Sequence, residues 1–277
     1  MKPRFLVVGT VRNVAKTIFR EVKNLNREFS KIGDFEYFLV ESDSTDSTLQ
    51  ELVRTRSIHP EFDFISMGDL SNKEPDRISR LIVARNRYVE EIRNRSLRKK
   101  YDFVVVADFD KVNTDVKYKC LIKSIKLLNT YDAICANQKR RYYDLLALRH
   151  KYWCPENIFV TFEWYRTILP HTKARQAAIF SRMITIDSKL PPLEVDSAFG
   201  GLAIYKLEVF TRFDYTFDRY AQPGDIDHVI LSRKIRSAGG KIVIDPQLIN
   251  GGWNSHNLGS FKMLRIIRYW TKHLLRN

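Results

Sequence analysis

The stretch YDFVVVADFD, Tyr101 to Asp110, runs five apolar residues together, Phe103 to Ala107, and ends on two carboxylates one residue apart. A run this short and this uniformly apolar fits a strand buried on both faces, as in parallel sheets. Working outward, FLVVG at Phe5 to Gly9 and FEYFLV at Phe35 to Val40 have the same character, and Phe62 to Ser66, Ala133 to Ala136 and Lys241 to Ile244 are weaker strand candidates. Helical patterns separate them: Val14 to Phe29, a basic helix over Pro75 to Arg98 with Pro75 in its first turn, Val116 to Leu128, and Asp225 to Ala238 closed by Gly239 and Gly240. A further short helix opens where Ser47 with Gln50, and Thr48 with Glu51, have capping-box spacing. Strands alternating with helices predict an α/β fold, a mostly parallel sheet flanked by helices.

The 277 residues have no internal repeat, low-complexity tract or long linker, which predicts one domain over 1–260. Within it, 1–140 carries the regular alternation, and 141–260 is punctuated by Pro155, Pro170, Pro191 and Pro192. Tyr142, Tyr143, Tyr152 and Trp153 cluster there as a ligand-facing candidate. Three cysteines, Cys120, Cys135 and Cys154, make no CxxC pair and no even framework, against both a disulfide scaffold and a zinc finger. No apolar run approaches the roughly 18 residues of a membrane span, and no signal-peptide pattern opens the sequence, so a reduced, cytoplasmic location is expected.

Forty-seven Lys and Arg against 32 Asp and Glu leave a net charge of +15. Such a field favours phosphates, nucleic acid or an acidic membrane face. The basic residues are spread along the chain without a nucleic-acid-binding motif, so no nucleic acid partner is expected. From Phe261 to Arg276, apolar residues including Trp270 fall on one helical face and basic residues away from it. A basic amphipathic tail over 261–277 suits an anionic membrane surface, and it equally suits packing on the body.

Asp108 and Asp110 follow a strand, where the carboxyl ends of open α/β sheets form ligand crevices. Hard carboxylate oxygens suit Mg²⁺ or Mn²⁺ bridging a diphosphate, whereas a plain strand-to-turn corner also favours Asp. Glu41 to Asp46 (ESDSTD) follow the second strand and offer nucleoside contacts, helix caps, or both, with Glu41 buried at the crevice and the later residues capping. Arg85 lies on the basic helix beside Arg77, Arg80 and Arg87, where an arginine can neutralise a diphosphate or simply face solvent. Asp225, Asp227 and His228 (PGDIDH) open a helix, as general base or as caps. His256, in GGWNSHN, can ligate Mn²⁺ or be solvated.

In order along the chain these pieces resemble the GT-A glycosyltransferases. VGTVRN resembles their first strand and nucleotide loop, and VESDSTDST their VDDGSTDGT segment. VVVADFD resembles their DxD motif, SAFGGLAIY their glycine loop, PGDIDH their xED region and GGWNSH their carboxyl-terminal histidine. DRISRLIVARNRYVEEI, YYDLLALR and VDSAFGGLAIY are similar in layout to the capsule-associated α-mannosyltransferases of fungi and related bacterial enzymes. The resemblance spans about Phe5 to Asn257 and implies a Rossmann-like GT-A fold, with a nucleotide-binding half at about 1–140 and an acceptor-side half at about 141–260.

The resemblance also implies a metal-dependent transfer of a hexose, with mannose as the finer expectation, from a nucleotide-diphosphate sugar to a glycan or lipid-linked acceptor. It places Thr10, Arg12, Glu41, Arg85 and Asp108 on the donor. Asp110, Asp108 and His256 would hold Mn²⁺ or Mg²⁺. Gly200, Gly201 and His228 would lie on the acceptor or sugar side, with Asp227 or Asp225 catalytic. Glu41 and Ser42 replace the paired aspartates usual at that strand, and the xED element here is Asp-Ile-Asp. A nucleotidyltransferase would share the crevice and the carboxylate logic, but the glycine-rich basic signature near the first strand is missing.

Overall fold

A computed structural model of the protein describes residues 2–97, 101–222 and 224–252. Among them, β1 (Arg4–Val11), β2 (Asp34–Glu41), β3 (Phe62–Ser66), β4 (Phe103–Ala107), β5 (Ala133–Gln138), β6 (Leu193–Val195), β7 (Leu202–Lys206) and β8 (Ile242–Gly251) form one sheet. Its order is β3-β2-β1-β4-β7-β5-β8-β6. Six strands run one way; β7 is antiparallel to β4 and β5, and β6 to β8.

The uniformly apolar run is explained by where β4 sits. Val104 and Val106 face one core layer with Leu6 and Val8, while Val105 and Ala107 face the other with Phe5 and Val7. Each valine is fully buried, contributing about 1.5–3 kcal/mol. One layer is closed by α1 (Ile18–Phe29) and α4 (Tyr118–Leu127), the other by α3 (Arg77–Ser96) and α8 (Asp227–Ser237). The remaining helices are α2 (Thr48–Ile58), α5 (Ile158–Arg166), α6 (His171–Ala178) and α7 (Leu207–Arg212).

Several boundaries differ from the sequence reading. Pro75 precedes the cap of α3; Asp76 is the N-cap, its side chain accepting the Ser79 N–H at 2.7 Å. Ser47 caps α2 without a side-chain bond, because Asp46 takes the Thr48 N–H at 3.0 Å instead. Helix α1 starts four residues later than expected, since Val14 and Thr17 are engaged in a turn. The glycine-loop segment SAFGGLAIY continues into β7, which inserts between β4 and β5 and so joins residues of both sequence halves in one sheet. The tail at 261–277 and His256 lie outside the described residues.

Gly200 and Gly201 make the turn into β7 possible. Both have left-handed backbones, φ +72° and +83°. A Cβ on Gly200 would lie 2.5 Å from the Ala136 carbonyl oxygen, and one on Gly201 2.8 Å from the Tyr143 hydroxyl. Only glycine fits both the angle and the space. The Gly201 carbonyl then accepts the Asp108 N–H at 2.9 Å, tying this turn to the carboxyl end of β4.

Candidate active site

The carboxyl ends of β1, β2 and β4 open on one cleft of about 830 Å³. Thr10, Arg12, Arg85, Asp108, Asp110, Asp227 and His228 all line it. Thus seven of the residues singled out from sequence share one surface, although they span more than two hundred positions. Glu41, Asp225, Gly200 and Gly201 are not among its lining residues.

Each of those four has a bracing role. Glu41 is 1% exposed; its carboxylate accepts the Ser44 N–H at 3.0 Å and the Ser66 hydroxyl at 2.5 Å, so it orders the loop after β2. From that loop Ser42 and Asp43 face the cleft instead. Arg12 donates its Nε–H to the Asp43 carbonyl at 3.0 Å. Burial raises the Asp43 carboxyl, but hydrogen bonds from Ser71 and Ser42 and the charge of Arg12 together outweigh it and leave it below its ordinary value. Asp225 accepts from Arg233 Nε at 2.6 Å and lies 3.6 Å from Arg149, fastening the approach to α8. The glycines shape the turn described above, and the Gly200 N–H donates to Asp144 at 2.9 Å.

Asp108 and Asp110 stand at the end of β4, and Asp144 and Asp227 line the same cleft. Burial, then Asp110, push the Asp108 carboxyl from 3.8 up to about 8, against the pull of Arg85. Carboxylates gathered this way create demand for a cation. Among the described residues, no group of three or more His, Cys, Asp or Glu forms a ready-made metal cage. Asp108 and Asp110 are nevertheless a hard-oxygen pair that fits Mg²⁺ or Mn²⁺ whose remaining positions are filled by phosphate and water.

Across the cleft, Arg85 and Asp227 are ion-paired with only 5% and 2% of their surfaces exposed. Burial works against both charges, but each partner outweighs it for the other: Asp227 is held below its ordinary value and Arg85 above. Arg85 also donates to the Tyr88 hydroxyl at 3.1 Å, which bonds Tyr215 at 2.7 Å. The guanidinium lies over the rings of Phe199 and Tyr215 at 5.7 and 5.5 Å.

His228 stacks on Phe199 with centroids 3.7 Å apart and planes 18° apart. It is 4% exposed, and neither ring nitrogen has a hydrogen-bond partner among the described residues. Burial, then Arg85, drive its pKa down to about 3, so the imidazole is neutral at working pH. Both ring nitrogens are thus buried and unsatisfied where the imidazole lies against Phe199.

Sequence reasoning missed Asp144, Phe199, Tyr88 and Tyr215, although Asp144 sits in YYDLLALR, where a lone carboxylate among apolar neighbours was the available signal. Of the aromatic cluster expected to face ligand, Tyr143 lines the cleft, Tyr142 is fully buried against Trp153, and Tyr152 is 81% exposed.

Glu21 on α1 supports the loop after the DxD pair. Its Oε1 accepts the Asn113 N–H at 3.4 Å, and Oε2 has no partner among the described residues. Burial raises its pKa from 4.5 to about 7, partly offset by the Lys111 and Asn113 N–H groups. The unfolded chain ionises near 4.5 and the folded one near 7, so the native state is penalised as pH rises through that window. Above it the penalty is complete, up to about 3 kcal/mol. Glu21→Gln is therefore expected to raise Tm at pH 8 and leave it unchanged at pH 4.5; equal shifts at both would refute this assignment.

No protein-family model matches the chain, and no curated protein matches it. Solved structures do. The mannosyltransferase PcManGT of Pyrobaculum calidifontis, in complex with GDP-Man and Mn²⁺, superposes with a TM-score of 0.52 at 16% identity, over 100% of this chain and 65% of that one. Staphylococcus aureus TarS (residues 1–349) follows at 0.46 and 12%, over 95% and 64%, and Mycobacterium tuberculosis glucosyl-3-phosphoglycerate synthase at 0.43 and 13%, over 92% and 72%. The chain spans less than two thirds of the length of the first two. At these identities the likeness is one of fold, and the first superposition carries it. The mixed α/β sheet flanked by helices is that of a Rossmann-like GT-A domain.

Proposed function

We propose that the protein is a metal-dependent glycosyltransferase that moves a hexosyl group from a nucleotide-diphosphate sugar to a glycan or lipid-linked acceptor. One observation carries this reading: the Asp108–Asp110 pair at the end of β4 and the buried Arg85–Asp227 pair line the same cleft. The shared fold supports it, since the mannosyltransferase with that fold was solved with GDP-Man and Mn²⁺. A mannosyl donor is the finer part of the proposal.

Thr10, Arg12 and the loop ordered by Glu41 face the nucleoside, and Asp108 and Asp110 would hold Mn²⁺ or Mg²⁺. The bound ion supplies compensation for the charge that develops on the departing diphosphate. Arg85 adds a second cation on the donor side. His228, stacked on Phe199, lies on the acceptor or sugar side. Asp227 faces the acceptor: as base for its hydroxyl if configuration inverts, and as a positioning group if it is retained. Pairing with Arg85 makes Asp227 a weak base. Association with an anionic membrane face belongs to the same proposal. Among the described residues no helix is long and apolar enough to cross a membrane.

The test is turnover of a panel of UDP- and GDP-sugars with Mn²⁺, read as released nucleotide diphosphate. Release from one donor, abolished by chelator, is the expected result. Release of pyrophosphate from a nucleoside triphosphate, with every sugar nucleotide inert, would instead assign a nucleotidyltransferase.

A further inference from the structure

Three buried amide side chains have no part in the roles described so far. Asn113 stands in the loop between Asp110 and α4, Gln138 ends β5, and Asn250 lies near the end of β8. They are 1%, 1% and 0% exposed. The pairing of β5 with β8 shifts register at Asn137 and again at Gln138, and such irregularities re-aim side chains. The end of β8 also presses on the loop after Asp110. A Cβ on Gly251 would lie 2.3 Å from the Val112 carbonyl oxygen, and the Asp115 N–H donates to the Asn250 carbonyl at 2.8 Å.

Each amide nitrogen has two acceptors, one for each of its hydrogens. Asn113 Nδ2 donates to the Asp108 carbonyl at 2.6 Å and the Gly201 carbonyl at 2.9 Å. Asn250 Nδ2 donates to the Gly200 carbonyl at 2.8 Å and to Asn113 Oδ1 at 3.0 Å. Gln138 Nε2 donates to the Gly200 carbonyl at 3.0 Å and to Asn250 Oδ1 at 3.4 Å. The chain from Gln138 through Asn250 to Asn113 thus joins the glycine turn to the strand end that carries the two aspartates. Because the Asp108 N–H already goes to Gly201, both backbone polar groups of Asp108 are tied to this frame. At the other end the Gly200 N–H holds the Asp144 carboxylate.

Stability alone does not account for the arrangement. Gln138 Oε1 is buried without a partner among the described residues, and a partly satisfied amide network is a poorer core than apolar side chains. Carboxylates gathered at one cleft repel one another, so on a softer support they would spread apart. We infer that Asn113, Asn250 and Gln138 are positioning residues that fix Asp108 and Asp144 and thereby set the affinity of the cleft for a divalent cation. The cation rests on the glycosyltransferase reading; the frame does not.

The experiment titrates the full chain with Mn²⁺ alone, following free Mn²⁺ by electron paramagnetic resonance, and reads Tm in chelator on the same samples. Asn113→Ala and Asn250→Ala are each expected to weaken Mn²⁺ binding by about ten-fold or more, the scale on which groups that orient a metal's ligands act. Gln138→Met should weaken it less, because the Gly200 carbonyl keeps its bond from Asn250. Asn250→Ser is the milder variant if the alanines disturb folding. Ile92→Ala, a core truncation on α3, should lower Tm and leave Mn²⁺ affinity unchanged. Unchanged Mn²⁺ affinity in the folded asparagine variants, whatever their Tm, would overturn the inference and leave the glycosyltransferase reading standing. An equal loss of affinity in Ile92→Ala would also overturn it, by tracing the effect to general destabilisation. No Mn²⁺ binding by wild type would strike the cation site itself, and the inference with it.

Discussion

Asp227→Ala is expected to destabilise the protein by about 3–5 kcal/mol and to abolish transfer, because it leaves Arg85 charged and buried without its partner. The double variant Arg85→Met with Asp227→Leu removes both charges. It is expected to recover most of the stability, since a buried ion pair is often no better than apolar residues of similar volume. Transfer should not return. Urea denaturation and an acceptor assay on the same samples separate the two effects. If the double variant were as unstable as the single one, the hydroxyl network of Tyr88 and Tyr215, rather than the charge pair, would hold this region. If it were both stable and active, Asp227 would have no chemical role.

Asp110→Ala is expected to reduce metal-dependent turnover by about 10³-fold, the scale on which one electrostatic contact to a developing charge contributes. Folding should be unaffected, because Asp110 is exposed. Asp108→Asn makes a sharper companion. With its carboxyl raised to about 8, Asp108 is mostly protonated at pH 7 in protein without a cation, and Asn imitates that neutral state. The substitution should therefore keep or slightly raise Tm in chelator, yet abolish the gain in Tm that Mn²⁺ and nucleotide produce together. A variant that still showed that gain would remove Asp108 from the cation site.

How far the sequence disclosed this protein depends on the kind of pattern involved. The central strand was legible because both faces of β4 are buried, so apolar identity persisted at every position instead of alternating. β7 was not, because its five residues follow a glycine pair whose turn chemistry dominates the local pattern, and its antiparallel partners are distant in sequence. α5 and α6 were missed since their apolar faces are short and α5 exposes a second one, blurring the period of 3.6.

The site shows the same division. Asp108 and Asp110 stood out because a strand ended on them. Arg85 could not be told from its neighbours Arg77, Arg80 and Arg87 by residue type; what distinguishes it is burial against Asp227, 142 positions away. Asp225 and Asp227 were equivalent as letters, but one turn of chain sends Asp225 to Arg149 and Arg233 and Asp227 to the cleft. Glu41 was read as a nucleoside contact from its place at the end of β2 and from the resemblance. Its bonds to Ser44 and Ser66 show a buried brace, and whether nucleoside recognition passes through the loop it orders is part of the proposal.

The measurement closest to the central claim is thermal stability against nucleotide diphosphates and their sugars, each with and without Mn²⁺. A ligand that binds only the folded state raises Tm by mass action, worth about 2.7 kcal/mol at a hundred times its Kd. A rise that requires both the ion and one particular nucleotide, and that disappears in Asp110→Ala, is the predicted result. No rise with any pair at millimolar concentrations would contradict the donor cleft, and with it the assignment of a glycosyltransferase.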